Sequence, residues 1–382
     1  MKALLFERSV PRFAAARVAS SLAPGSGVRV GPLRLTDVDP PSLPGPGWRR
    51  VRPRLAGICG SDLATVDGHS SRYFEPIVSF PFVPGHEVVG ELDDGERVVL
   101  QPTLTCVARG IQPMCDRCAA GESNRCERTA FGHLDPGLQT GYCADTGGGW
   151  SLSLVALETQ LHSVPEGMTD KAAVMVEPAA CGVHAALTTN ASDCAVIGAG
   201  TLGLCTIAAL RAFTMPHALI AAAKHPAQKQ LASELGADAV VEPEGLARAV
   251  RRAVPRAMVA GGQLTSGVEA VFDCVGTESS LQLALQVVAP GGTIVLLGMP
   301  GRVSVDLTSL WHREVSLRGA YTYTTEDFTK AFDLVQDARL ARLVTAVYPL
   351  ERWREAIEHA ADAGRRGAVK VAFDLRGERG SR

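Results

Sequence analysis

From Asp193 onward, strand-type and helix-type segments alternate. "CAVIGAG" is an apolar strand run, "TLGLCTIAALRAF" a helix, "ALIAAA" a strand and "AQKQLASELG" a helix stopping at Gly236. "EAVFDCVG", the helix-like "SSLQLALQVVAP" and "GGTIVLLGMP" continue the series. Parallel strands need crossovers, so this part is expected to form a doubly wound α/β sheet. At its first turn, "VIGAGTLG" places Gly198, Gly200 and Gly203 after a strand and at the start of a helix, with Thr201 and Leu202 between the last two. The first glycine permits a tight turn, the second lets backbone approach a pyrophosphate, and the third lets helix and strand pack closely. The helix N-terminal amides then face the anion, as in a dinucleotide site.

About twenty residues beyond, an NAD site usually offers a carboxylate to the ribose 2′-hydroxyl. Here the segment reads "IAAAKHPAQ", with Ala223 where that acid belongs. A carboxylate about 4 Å from a phosphate charge would cost about 4 kcal/mol at an effective dielectric of about 20, so its absence removes a bar to NADP. Lys224 and His225 are positioned to hold the 2′-phosphate. NADP(H) is the favoured cofactor and NAD(H) the alternative.

The N-terminal part has another texture. Its first forty-five residues are rich in Pro, Gly and Val, and "RVGPLRLTDVDPPSLPGPGW" reads as short strands and turns. "FPFVPGHEVVGELDDGERVVLQP" continues it, with a hairpin turn expected at Gly95. After about Thr325 a helix, "TEDFTKAFDLVQDARL", leads to "VTAVYPL", another helix and the strand "AVKVAFDL", expected to rejoin the first domain. A net charge of −2 offers no broad field for nucleic acid or anionic membrane. The segment "RRVRPR" is too short for such a patch and reads as a solvated face. In "MKALLFERSV", Glu7 and Arg8 interrupt the start before a signal-type apolar core forms, so a cytoplasmic location is expected. The apolar window Cys194 to Leu210 carries three glycines and is short for a bilayer span.

With no secretion signal, ten cysteines point to metal ligands and buried thiols more than to disulfides. "AGICGSDLATVDGH" holds Cys59, "PGHEVVG" holds His86 and Glu87, and "VMVEPAACGVHA" holds Glu177. One thiolate, one imidazole and one carboxylate suit a zinc ion that keeps a fourth position open for water or substrate. A second group, "CVARGIQPMCDRCAAGESNRC", contains Cys106, Cys115, Cys118 and Cys126.

With these residues in view, the chain resembles the zinc-dependent medium-chain alcohol dehydrogenases, in their polyol and threonine dehydrogenase branch. The likeness runs from "GICGSD" through "GHE", the cysteine lobe, "VEP" and "GAGTLG" to the closing "AVKV", nearly the whole chain. It implies a β-rich GroES-like catalytic domain, residues 1–186 and 326–382, around an inserted Rossmann domain, residues 187–325. It implies that Cys59 and His86 bind a catalytic zinc, with Glu177 or Glu87 as the third ligand, the two sharing the role if Glu87 swings in during turnover. It also implies that Ser61 takes the substrate's proton and that Asp62 steadies the zinc histidine. Family members often carry a histidine soon after, where this chain has Ala64; His69 is the candidate substitute.

Cys115, Cys118 and Cys126 match the family's structural-zinc spacing. Gln112 stands where relatives have the first cysteine, and Cys106 supplies the fourth thiolate if its longer loop folds back. Cys143, Cys181, Cys194, Cys205 and Cys274 read as structural, and His184 as a packing residue at a helix start. "GYCADTGGGW" reads as a turn bringing backbone close to the site. The expected function is hydride transfer between NADP(H), or NAD(H), and an alcohol or polyol or its aldehyde or ketone. Two readings stay open beside it: an NADPH-dependent reductase of an imine or activated double bond, and a nicotinamide-binding scaffold or sensor whose chemistry has lapsed. A small-molecule substrate and a homodimer or homotetramer are expected, without nucleic acid or membrane.

Overall fold

The computed structural model describes residues 1–261, 263–298 and 301–377. Met299 and Pro300, which end the expected run "GGTIVLLGMP", and residues 378–382 lie outside the described residues. The chain divides into two compact units, Met1–Glu177 with Arg339–Arg382, and Pro178–Ala338. The divisions fall within the helix Val176–Ala186 and just after the helix Thr325–Asp337, not at 186/187 and 325/326. A continuous helix gives no sequence signal at a boundary that runs through it.

The first unit is built on a seven-stranded sheet. Its long central strand, Trp48–Gly57, pairs antiparallel with Val88–Glu91, with Leu154–Leu157 and, near its end, with the C-terminal strand Lys370–Asp374. That last pairing aligns Ala372 with Gly57, which brings the tail of the chain beside Cys59. Leu4, Phe6, Val51, Ala56, Val88, Trp150, Trp353 and Phe373 form the core. The strands Val88–Glu91 and Arg97–Leu100 form the hairpin expected at Gly95. Arg54, in "RRVRPR", is not free in solvent: it pairs with Glu91 and Asp170.

One element departs from the expected β-rich opening. Residues Val10–Leu22 form a 13-residue helix with Pro11 in its first turn. Its "FAAARVAS" centre is alanine-rich, and alanine is the best helix former, while proline at the first turn loses no hydrogen bond. Only Ala16 is buried, so propensity more than an apolar face explains it.

The second unit holds six parallel strands in the spatial order Ala239–Val241, Ala218–Ala222, Asp193–Ile197, Val268–Asp273, Val288–Leu296, Ser316–Gly319. The order reverses beside Asp193–Ile197, and the C-terminal ends of the strands at such a point are where nucleotides bind in open α/β sheets. The helix expected over "SSLQLALQVVAP" is shorter, Glu278–Val287, because Val288, Ala289 and Pro290 already belong to the next strand. Among the described residues no helix is long and apolar enough to cross a membrane.

Candidate active site

Cys59 caps the helix Gly60–Val66, and its backbone N–H donates to Asp62 Oδ2 at 3.0 Å. The turn therefore aims the thiol and buries the aspartate in one move. Asp62 Oδ1 lies 3.5 Å from His86 Nδ1 and 3.4 Å from the Tyr142 hydroxyl. His86 is 4% exposed and Asp62 1%. Burial pushes the imidazole down, but the Asp62 carboxylate and the Cys59 thiol, both acting on the ring, outweigh it and hold it well above its ordinary range. Cys59, Asp62 and His86 are thus together.

The segment carrying His86 is seated on the turn "GGGW". Gly149 N–H donates to Gly85 O at 2.7 Å and Trp150 N–H to Pro84 O at 2.9 Å. Gly85 has φ +97°, and a Cβ there would stand 2.4 Å from Trp150 Cδ1. Trp150 is fully buried and donates from Nε1 to Gly57 O at 3.1 Å, tying the end of the strand before Cys59 to the Pro84–Gly85 segment before His86.

Glu87, one candidate for the third ligand, is held by Lys370. Both carboxylate oxygens lie 2.6 Å from Lys370 Nζ, which also donates to Ile58 O at 3.2 Å. Lys370 is 3% exposed and Glu87 1%. Burial alone would lower the lysine's pKa, but Glu87, Cys59 and Glu177 raise it, so the ammonium is retained. Glu177, near the start of the helix Val176–Ala186, is buried and adds to this negative environment. A soft thiol, an imidazole and a carboxylate in a buried setting fit zinc. His86 Nδ1, buried and without a hydrogen bond of its own, sits against Asp62, the arrangement by which a carboxylate orients a ligating ring.

The cysteine lobe is tighter. Cys106, Cys115, Cys118 and Cys126 are, among the described residues, the one set of three or more metal-ligating atoms all within 4.8 Å of one another. Cys59, His86 and Glu177 do not form such a set among the described residues. Cys106 Sγ and Cys126 Sγ are 3.7 Å apart, and four sulfurs at about 2.3 Å from one zinc ion stand about 3.8 Å from each other. All four are free thiols. Backbone N–H groups of Cys115, Cys118 and Arg128 point at the sulfurs of Cys106, Cys115 and Cys126. Burial pushes the Cys115 thiol up, but N–H groups of Glu127 and Cys118 and the neighbouring thiols bring it down to about 6. Arg109, fully buried, ties the lobe by donating to the carbonyls of Leu104, Phe131, Leu134, Asp135 and Gly137.

His69 Nε2 lies 3.0 Å from Ser20 Oγ of the unforeseen helix. His184 stands in the last turn of its helix, not at the start, and its Nδ1 is 2.8 Å from Asp327 Oδ2. In the second unit, Gly203 sits under Gly198, where a Cβ would lie 1.8 Å from Gly198 O. Gly200 caps the helix Thr201–Ala209 and has open space above it, with Thr201 and Leu202 opening the first turn. Ala223 directly follows the strand Ala218–Ala222 and donates its N–H to Val241 O; Lys224 is exposed, and His225 caps the helix Pro226–Glu234.

Sequence reasoning passed over Lys370 and Tyr142. The only signal for Lys370 was a charged residue set in the apolar run "AVKVAF", and for Tyr142 its place in "GYCADTGGGW".

Comparisons with known proteins agree with this architecture. Residues 45–166 match the alcohol dehydrogenase GroES-like domain and residues 201–337 the zinc-binding dehydrogenase domain. A protein described as a probable D-xylulose reductase A in Arthroderma otae is 30% identical over 81% of this chain and 85% of its own. A sorbitol dehydrogenase of Arabidopsis thaliana is 28% identical over 91% and 94%. The solved alcohol dehydrogenase of Thermus sp. ATN1 shares the fold, with a TM-score of 0.70 at 24% identity over 98% of this chain and 99% of its own. The chain belongs to the zinc-dependent medium-chain alcohol dehydrogenases, in their polyol dehydrogenase branch. It is an NAD(P)-linked oxidoreductase of alcohols and polyols.

Proposed function

We propose that the enzyme interconverts a secondary alcohol of a polyol or diol with its ketone, using NADP(H) in preference to NAD(H). The observation that carries this reading is the buried contact of Cys59 with an Asp62-backed His86. Cys59, His86 and Glu177 would hold the catalytic zinc, and Cys106, Cys115, Cys118 and Cys126 a structural one. When bound, the catalytic ion supplies Lewis-acid stabilisation of the substrate oxygen, and the nicotinamide exchanges the hydride.

The chain's own residues do the rest. Asp62 orients the imidazole, and Lys370 neutralises Glu87 so that only one carboxylate is left for the metal. Ser61 Oγ is the first acceptor of the alcohol's proton. In the second unit the Gly198 to Gly203 turn binds the pyrophosphate. Ala223 leaves room for a 2′-phosphate that Lys224 and His225 attract.

The same reading places the enzyme in the cytoplasm as a homodimer or homotetramer. Every residue of the sheet's edge strand Ser316–Gly319, Leu317 among them, is exposed, and Leu307 and Trp311, shortly before it in sequence, are exposed too. An exposed sheet edge with apolar side chains at and near it suits pairing with a second copy.

The test combines zinc analysis, nucleotide titration and a substrate panel. The purified protein is expected to carry two zinc ions per chain, to bind NADPH more tightly than NADH, and to oxidise sorbitol, xylitol or 2,3-butanediol. Tighter NADH binding overturns the cofactor preference, and light scattering that shows a monomer overturns the assembly. Zinc-loaded protein that reduces imines or activated alkenes but turns over no alcohol overturns the substrate class.

A further inference from the structure

Oxidising an alcohol releases one proton for each hydride transferred, and a buried site must pass that proton to water. Ala64 cannot carry it, and His69 is engaged with Ser20. A different set of groups stands next to Ser61. The Tyr142 hydroxyl is 3.5 Å from Thr65 Oγ1, and Thr65 Oγ1 is 2.7 Å from Ser70 Oγ. Thr65 is buried and Ser70 half-buried, so the last link runs outward. Burial and the Asp62 charge push ionisation of the phenol up, while His86 and the hydroxyls of Thr65 and Ser61 pull the other way. The phenol oxygen lies within reach of Thr65 Oγ1 on one side and Asp62 Oδ1 on the other, a placement from which a hydroxyl can receive one proton and hand on another.

We propose that Ser61, Tyr142, Thr65 and Ser70 form a hydroxyl relay that replaces a histidine. The proposal rests on the reading of Ser61 as the first proton acceptor. In the oxidative direction, Ser61 Oγ gains the substrate's hydroxyl proton as its own passes to the Tyr142 oxygen. The phenol proton passes to Thr65 Oγ1, that of Thr65 to Ser70 Oγ, and that of Ser70 to water. Each O–H bond broken is matched by one formed, the electron pair leaves carbon as hydride to the nicotinamide, and no residue changes its net charge. At rest, Tyr142 points its proton at Asp62 Oδ1 and Thr65 points its own at Ser61 O at 2.9 Å. Rotation about each C–O bond turns the series into line. The 3.5 Å between Tyr142 and Thr65 is at the long end for a hydrogen bond and shortens with a small side-chain movement.

Tyr142→Phe keeps the ring contacts with Phe82 and His86 and deletes only the oxygen. In the zinc-loaded enzyme, with whichever of sorbitol, xylitol and 2,3-butanediol the wild type oxidises, kcat is expected to fall about a hundredfold, as for a positioned proton-transfer group. The solvent deuterium isotope effect should rise, and added imidazole should restore part of the rate. KM, zinc content and the NADPH dissociation constant should stay put. Thr65→Val breaks the next link and should show the same signature, which covers a Tyr142→Phe protein that fails to fold. An unchanged solvent isotope effect with no rescue by imidazole overturns the relay, whether or not kcat falls. A wild type that oxidises none of the three alcohols overturns the parent reading and the relay with it, and the wild-type arm alone reveals that outcome.

Discussion

The two units carry chemistry in opposite ways. In the first, it depends on side chains from separate stretches: Cys59 to Asp62, His86 with Glu87, Tyr142, Glu177 and Lys370. Lys370 reaches Glu87 across 283 residues of sequence. In the second, the turn proposed to bind the nucleotide is one local run of backbone, from Gly198 to Gly203, where Gly198 and Gly203 leave no room for a Cβ. A site made of buried charges fails when a partner is lost; a site made of backbone fails when an atom is added. Mutations that delete should therefore be most severe in the first unit, and mutations that insert in the second.

Cys59→Ala is the most severe deletion. Losing the thiolate ligand should remove several kcal/mol of charge stabilisation at the reacting oxygen and lower kcat by about a thousandfold or more. Zinc should fall from two ions to one per chain while NADPH titration stays unchanged, because the nucleotide turn belongs to the other unit. Retained activity would show that the thiol is only a cap for its helix.

Lys370→Met comes next. It leaves Glu87 buried without its counter-charge, a change that costs about 3–5 kcal/mol when one partner of a buried pair is removed. Thermal unfolding of the first unit should drop accordingly. The double variant with Glu87→Gln should recover much of the loss, since a neutral amide needs no cation. A single variant that melts like the wild type would mean that this pair adds nothing to stability, and that the first unit does not depend on charge as argued.

The insertion counterpart is Gly203→Ala. Its Cβ would lie 1.8 Å from Gly198 O, so helix and strand must separate. Overpacking of this kind costs about 1–3 kcal/mol, which should weaken NADPH binding about tenfold to a hundredfold. Zinc content should not change. If alanine there leaves binding intact, close packing of that turn is not what shapes the phosphate site.

The same contrast explains what was legible beforehand. The glycine turn could be read because its glycines, strand and helix are contiguous. The four-cysteine lobe could be read because three of its cysteines keep a short spacing, and even the displaced Cys106 arrives within one loop. Cys59, His86 and Glu177 were legible as donor types, but their supporting partners were not. Lys370, Tyr142 and Trp150 are ordinary residues until the fold sets them against Glu87, Asp62 and Gly85. The helix Val10–Leu22 escaped notice because flanking prolines and glycines mark turns more strongly than an alanine run marks a helix. Once formed, that helix brings Ser20 to His69, a contact no local pattern announces.

Ala223→Asp tests the smallest difference, the choice between two nucleotides that differ by one phosphate. It adds a charge and a few atoms at the end of the strand Ala218–Ala222 without touching the glycine turn. The new carboxylate would accept a hydrogen bond from the ribose 2′-hydroxyl of NADH and repel the 2′-phosphate of NADPH. The full Coulomb cost at close range will be reduced by Lys224, which is exposed and free to turn toward either charge. A shift of about 1.4 kcal/mol, or about tenfold in the ratio of the two dissociation constants toward NADH, is the expected result. Ala223 is only 2% exposed, so the aspartate also pays a desolvation cost when no nucleotide is bound. Melting temperature should therefore fall slightly in the free protein and recover with NADH more than with NADPH. If the ratio does not move while the melting temperature falls, position 223 is a packing site, and cofactor choice in this unit lies with Lys224 and His225 alone.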